Sequence, residues 1–191
     1  SGDAMTTESN CVLVGKNTGG AINSADADGT VAVGHSALTA LTSGIGNVAV
    51  GYQSLDAEDD GDKSTAIGHE ALTAQTGTSG EVGNTAVGTQ AALSMTKGKH
   101  NTAVGLWALY TDDVGDGSVG IGLQSLYSQN SDSDNERTGN VALGMETSFH
   151  NVTGQNNTSI GYLSMKGSSG NSHSGNTAVG SNALLAVSTG S

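Results

Sequence analysis

Three kinds of side chain in this 191-residue chain are capable of chemistry: five histidines, eighteen carboxylates and a few aromatic rings. His35 and His69 stand at equivalent places, each directly after a Val-Gly or Ile-Gly pair, while His100, His150 and His173 share no such place. Two structural repeats apart, His35 and His69 would sit roughly 10 Å from each other. One chain could not chelate a metal that way, and a metal would need three symmetric copies of one histidine. A solvent-facing or hydrogen-bonded role is the plainer expectation. The carboxylates cluster at Asp56, Glu58, Asp59, Asp60 and Asp62, at Asp112, Asp113 and Asp116, and at Asp132, Asp134 and Glu136. Carboxylates around glycine can hold Ca²⁺, but neither the EF-hand spacing nor the Gly-Gly-x-Gly-x-Asp nonapeptide is present. They are expected to be solvated loops whose charge discourages edge-to-edge association. No Gly-x-Ser-x-Gly elbow, His-Glu-x-x-His pair or Walker loop occurs, so no catalytic residues, metal ligands or cofactor are assigned. Among the aromatics, Tyr110, Tyr127 and Phe149 fall five residues after successive repeat glycines, with Trp107 nearby. These four are the candidate ligand-binding residues, since a row of rings can stack on sugar faces. They could equally cover the core or a gap between chains.

What must position these groups is a tandem repeat. A polar, β-branched, small, aliphatic, Gly motif occurs ten times, from Cys11–Gly15 through TVAVG, NVAVG, STAIG, NTAVG, NTAVG, SVGIG, NVALG and NTSIG to Asn176–Gly180. The glycines are spaced 19, 17, 17, 20, 17, 17, 22, 17 and 19 apart, a 17-residue unit with insertions. Val or Thr at −3 and Val, Ile or Leu at −1 alternate around a small residue, the signature of a short strand. The β-branched and aliphatic positions are expected to face the core, which would bury the column Thr65, Thr85, Thr102, Thr158 and Thr177. The small residues are expected to form a second face that another chain approaches. Gly ends the strand at a tight corner, and the Asn at −4 in six copies is expected to stack into a hydrogen-bonded ladder. Leu recurs at +4 (Leu38, Leu55, Leu72, Leu109, Leu126, Leu184, with Met165 similar), predicting a weaker second strand. The segments Gln75–Gly83 and Gln129–Gly139 are expected to leave the repeat as surface loops, where recognition commonly resides. Helical periodicity is absent. A unit this small buries its apolar residues only against its neighbours, the logic of a solenoid. The fold predicted is all-β: a parallel β-roll of about ten coils, roughly 50 Å long at ~4.8 Å per coil.

Composition agrees. Lys and Arg number 6 against 18 Asp and Glu, giving a net charge of −12. That excludes a chain-wide basic footprint for nucleic acid and disfavours anionic bilayers. No apolar run of about 18 residues is present to span a membrane as a helix. A single Cys excludes an intrachain disulfide. Residues 1–10 read as an expression scar or leader and 11–191 as one repeat domain.

NTAVG and NVAVG resemble the NSVAIG-type motif of the YadA-like heads of trimeric autotransporter adhesins, and the NTAVGxxAL form is similar to repeats in bacteriophage tail fibres. The resemblance runs from Cys11 to about Leu185. It implies a left-handed β-roll assembled as a homotrimer, extracellular on a virion or a bacterial surface, attaching to a glycan or protein receptor. The functional expectation is a non-catalytic fibre or adhesin module, most readily a phage tail fibre, with an autotransporter head as the alternative. In that role, three copies of a weak site raise avidity. A single-chain ice- or mineral-binding solenoid and a polysaccharide-degrading spike are the competing classes. The expected burial of the Thr column argues against the former, and the lack of paired acids against the latter.

Overall fold

The computed structural model describes residues 10–22, 27–77 and 80–187. The leader expected over residues 1–10 lies, apart from Asn10, outside the described residues. Among the described residues the regular structure is entirely β, without helix. Numbered in chain order, ten strands of three residues follow the ten motifs: β1 Val12–Val14, β2 Val31–Val33, β3 Val48–Val50, β5 Thr65–Ile67, β7 Thr85–Val87, β8 Thr102–Val104, β10 Val119–Ile121, β12 Val141–Leu143, β13 Thr158–Ile160 and β14 Thr177–Val179. They form one sheet in that order, every pair parallel. Ten rungs thus wind into a β-solenoid of about nine turns.

The register sets like over like. Val48, Ala49 and Val50 of β3 face Thr65, Ala66 and Ile67 of β5. Insertions do not disturb it: β5 still aligns Ile67 with Val87 of β7, and β10 aligns Ile121 with Leu143 of β12. The extra residues are absorbed beside the sheet. There β4 (Gly61–Asp62) pairs with β6 (Gly80–Glu81), and β9 (Gly115–Asp116) with β11 (Glu136–Arg137).

The faces of the strand are the reverse of the sequence expectation. The small central residues (Ala32, Ala49, Ala66, Ala86, Ala103, Ala142) are fully buried, and the flanking Val, Thr and Ile point outward. The cause is the narrow lumen. The Leu at +4 fills it from the opposite wall: Leu38, Leu55, Leu72, Leu109, Leu126 and Met165 are all buried. At Gly120, the one central position without a side chain, a Cβ would stand 3.4 Å from Leu109 and 3.7 Å from Leu126. A methyl group fits between these side chains, and a branched one does not.

The Leu segment does not make a second strand either. Residues at +2 and +4 take left-handed backbone in every coil, with φ between 48° and 58°. That conformation costs a non-glycine residue about 1 kcal/mol. Hydrogen bonds between coils hold it, as in Leu55 N–H to Ala71 O and Gln53 N–H to His35 O. The preceding glycine turns the corner at φ 120° to 143°. A Cβ on Gly34 or Gly51 would collide with the carbonyl of the next coil's glycine.

The asparagine ladder forms as expected, with backbone as the main partner. Asn47 Nδ2 donates to Gly61 O at 2.7 Å, and its Oδ1 accepts from Ser64 N–H at 2.8 Å. Asn84, Asn101, Asn140 and Asn157 each repeat both bonds. One side chain thereby satisfies a backbone carbonyl and a backbone N–H at each of these five rungs.

Candidate functional site

An unusual surface is the outer face of the ten-stranded sheet. Two columns of Val, Thr, Ile and Leu run its length without one charged residue, in a chain of net charge −12. Val14 is 57% exposed, Ile67 40% and Ile160 39%. The next column, directly after the glycines, is mixed: Tyr52, Leu106, Met145 and Tyr162 are exposed there, but so are Lys16, His35 and His69, and it bounds the uncharged face. Nine rung spacings of ~4.8 Å make the two-column face about 43 Å long, and two residues of ~3.3 Å between the columns plus side-chain width make it roughly 10 Å wide. The product, roughly 400 Å², matches the largest apolar patches on monomers, which are often functional. It is about half of the ~800 Å² per partner of a stable interface. The Thr column expected to be buried lies on this face: Thr65, Thr85, Thr102 and Thr158 are partly exposed and Thr177 is exposed.

The aromatic candidates come together as the column spacing implies. Tyr110 and Tyr127 stack with ring centroids 5.1 Å apart and planes 1° from parallel, and Tyr127 and Phe149 stack at 4.9 Å and 4°. Trp107 meets Tyr110 edge-on at 6.4 Å and donates its indole N–H to Gln90 Oε1 at 2.7 Å. Beyond Phe149, Lys166 Nζ lies 5.6 Å from the ring centroid and His150 packs edge-on at 4.6 Å. The inner ring faces are therefore occupied by one another, and what the half-buried ladder offers solvent is chiefly ring edges. Burial, then the nearby Lys166 charge, pushes the His150 pKa down.

Tyr52 stacks between the two column histidines, 5.4 Å from His35 and 5.2 Å from His69. A ring thus fills the space between those imidazoles within one chain. His173 is buried with neither ring nitrogen hydrogen-bonded, and burial lowers its pKa.

Two of the acids expected on solvated faces are inside. Glu58 accepts from the backbone N–H of Gly61 at 2.7 Å, and from those of Asp59 and Asp60 at 3.1 and 3.3 Å. Its other oxygen accepts from Gln75 Nε2 at 2.5 Å. Gln75 Nε2 also reaches Ser64 Oγ at 2.9 Å, and its Oε1 accepts from Asn84 Nδ2 at 2.9 Å. Asp112, Gln129, Ser118 and Asn140 repeat the network, with Gln129 Nε2 2.5 Å from Asp112 Oδ2 and Asn140 Nδ2 2.8 Å from Gln129 Oε1. Burial raises the pKa of both acids, opposed chiefly by the glutamine amide. These sets lie 54 positions apart in a buried column reading Leu41, Glu58, Gln75, Met95, Asp112, Gln129. The acid-then-glutamine pair thus occurs twice in this column, whose flanking members Ile22 and Asn151 do not extend it. In both sets Ser replaces the ladder Asn in the coil before an insertion, and that substitution was the sequence signal. Gln75 and Gln129, expected to open surface loops, are core residues. Glu58, Asp59 and Asp60 do bring their carboxylates within 4.8 Å of one another, but Glu58 is committed to the backbone.

No family model, no curated protein and no solved structure matches this chain. The geometry alone therefore carries the functional reading. Among the described residues no helix is long and apolar enough to cross a membrane.

Proposed function

We propose that the chain is a non-catalytic attachment module: a left-handed β-roll that assembles as a parallel homotrimer in an extracellular fibre. A bacteriophage tail fibre is the first reading and the head of a trimeric autotransporter adhesin the second. The supporting observation is the uncharged aliphatic outer face of the ten-stranded sheet. Charge depletion of this kind marks the centre of an interface. Because the face repeats along the whole rod, a copy of the same chain in the same register matches it rung for rung. Three such faces around one axis close the assembly. The narrow lumen supports the same reading, since a single coil stack holds mostly Ala and Leu and leaves its Val and Ile columns wet. Attachment to a glycan or protein receptor would then be multivalent, with avidity set by effective concentration.

The test is Val104→Asp, at the middle of the outer face. The substitution points away from the lumen, so the β-rich circular dichroism spectrum is expected to persist while the assembly dissociates. A variant that keeps the mass of the unmodified oligomer would overturn this interface.

A second reading gains from the outward Thr column. Thr65, Thr85 and Thr102 occupy successive rungs of a flat, regular face, a pattern suited to ordering water. The other threonines are separated from them by Val119 and Val141, and the neighbouring column is aliphatic. Thermal hysteresis by a one-chain species would select this ice-binding reading over the fibre.

A further inference from the structure

We propose that an open groove beside the sheet binds an acidic sugar through Lys99 and Arg137. It deepens the attachment reading by naming a ligand class for it. The groove has a volume of about 460 Å³, room for a sugar residue. Its floor arises from the column immediately before the Asn ladder. From Gly29 to Gly175 the residues of that column take left-handed backbone, including Lys63, His100 and Asn156. Between His100 and Asn156 stand Gly117 and Gly139. A Cβ at Gly117 would meet nothing within 4 Å, whereas one at Gly139 would stand 3.0 Å from Asn156 Oδ1, so the gap opens at Gly117, with the Asn156 side chain closing it at Gly139 and His100 lining its other side.

The charge of the walls is unusual for this chain. Of its six Lys and Arg residues, Lys63, Lys97 and Lys166 are ion-paired, with Glu81, Asp134 and Glu146. Lys99 and Arg137 form no side-chain ion pair or hydrogen bond among the described residues, and both line the groove. Asp116 stands on the rung between them, opposite Arg137 in the β9–β11 pair. One of its oxygens accepts the Lys99 backbone N–H at 2.7 Å, a bond that ties coil to coil. The groove therefore carries a net positive charge inside a strongly acidic molecule. Arg137 presents a planar fork suited to a carboxylate, and Lys99 a point charge. The exposed glycine backbone lets a flat ring approach, and Asn156 and His100 supply neutral partners for hydroxyls. A uronic or sialic-type sugar carries that combination of one carboxylate, one ring and several hydroxyls.

The experiment is saturation-transfer NMR on the unmodified full chain, titrating methyl glucuronide and methyl glucoside to about 20 mM, with sodium sulfate added as a competitor of the glucuronide signal. That range covers the millimolar Kd of a single small-sugar contact. Saturable binding of the glucuronide is expected, with the glucoside roughly tenfold weaker. Arg137→Gln is expected to weaken it by a similar factor. Gly117→Asn should block it while preserving the fold, because Asn156 already takes this backbone conformation in the same column. Silence with glucuronide, equal binding of the glucoside, or full binding by Gly117→Asn would each overturn the site. Displacement by equimolar sulfate would show that the groove reads charge alone and would remove the sugar. Mass measured on the same sample separates the two proposals: binding by a one-chain species keeps the groove and sinks the trimer, and a silent trimer does the reverse.

Discussion

At Gly51 the backbone lies at φ 141°, and an added Cβ would strike the carbonyl of Gly68. Gly180 adopts a similar φ of 122° but has nothing within 4 Å of its Cβ position. Gly51→Ala should therefore lose both backbone freedom and close approach, about 2–4 kcal/mol, and Gly180→Ala only the former, about 1–2 kcal/mol. Urea unfolding of the two variants checks the contrast, and equal losses would contradict the steric account. Asp112 makes a second residue-scale prediction. Burial raises its pKa in the folded chain above the unfolded value. Its contribution is then fully present below the unfolded pKa and is lost as pH rises through the folded one. The thermal midpoint of the unmodified protein should accordingly fall relative to that of Asp112→Asn as pH rises from about 4 to 7. A difference that is constant with pH, or that grows in favour of the acid, would show that the Gln129 amide and backbone N–H groups outweigh burial. The sequence made the glycines legible because their spacing is regular. It concealed Glu58 and Asp112 because each sits in an acidic run whose other members are at least partly exposed, and only their glutamine partners one coil later distinguish them.

The strand shows what an alternating pattern can and cannot decide. The alternation of Val, Ala and Val fixed the strand and its register, and both are as expected. It could not say which face turns inward, because apolar residues occupy both. The deciding fact is the lumen width, which is set by the Leu at +4 across the coil and becomes visible only when the coil closes. The prediction at this scale follows from that packing. Ala103→Leu, inside, should cost about 1–3 kcal/mol through overpacking, whereas Val104→Thr, outside, should leave the unfolding free energy within about 0.5 kcal/mol when measured on dissociated chains. Denaturant titration of the two neighbours separates an inward Ala from an inward Val. The Leu segment was legible as an apolar corner but not as left-handed backbone. Nothing in Leu-at-+4 announces φ near 50°, which the chain accepts because the N–H groups of Leu38, Leu55, Leu72, Leu109, Leu126 and Met165 bond to the next coil. The aromatic column was legible as a row of rings, but not that the rings would stack on one another. Tyr110, Tyr127 and Phe149 do so because the rung spacing is close to ring-stacking distance, and Trp107 closes the row edge-on.

For the whole molecule, ten rungs give a rod with one uncharged apolar side and a charged remainder. Most carboxylates and the ion pairs occupy the corners and the insertions, while Glu58 and Asp112 lie inside. A single chain thus satisfies its backbone hydrogen bonds coil to coil but leaves its Val, Ile and Thr columns against water. Burial of those columns by two further copies is the central claim, and the repeat itself supplies the matching surface. The direct measurement is the solution mass of the unmodified protein by light scattering after size-exclusion chromatography. A mass near three times 18.8 kDa, eluting as an elongated particle, is the expected result. A monodisperse species near 18.8 kDa would contradict it and leave the outer face to a different ligand.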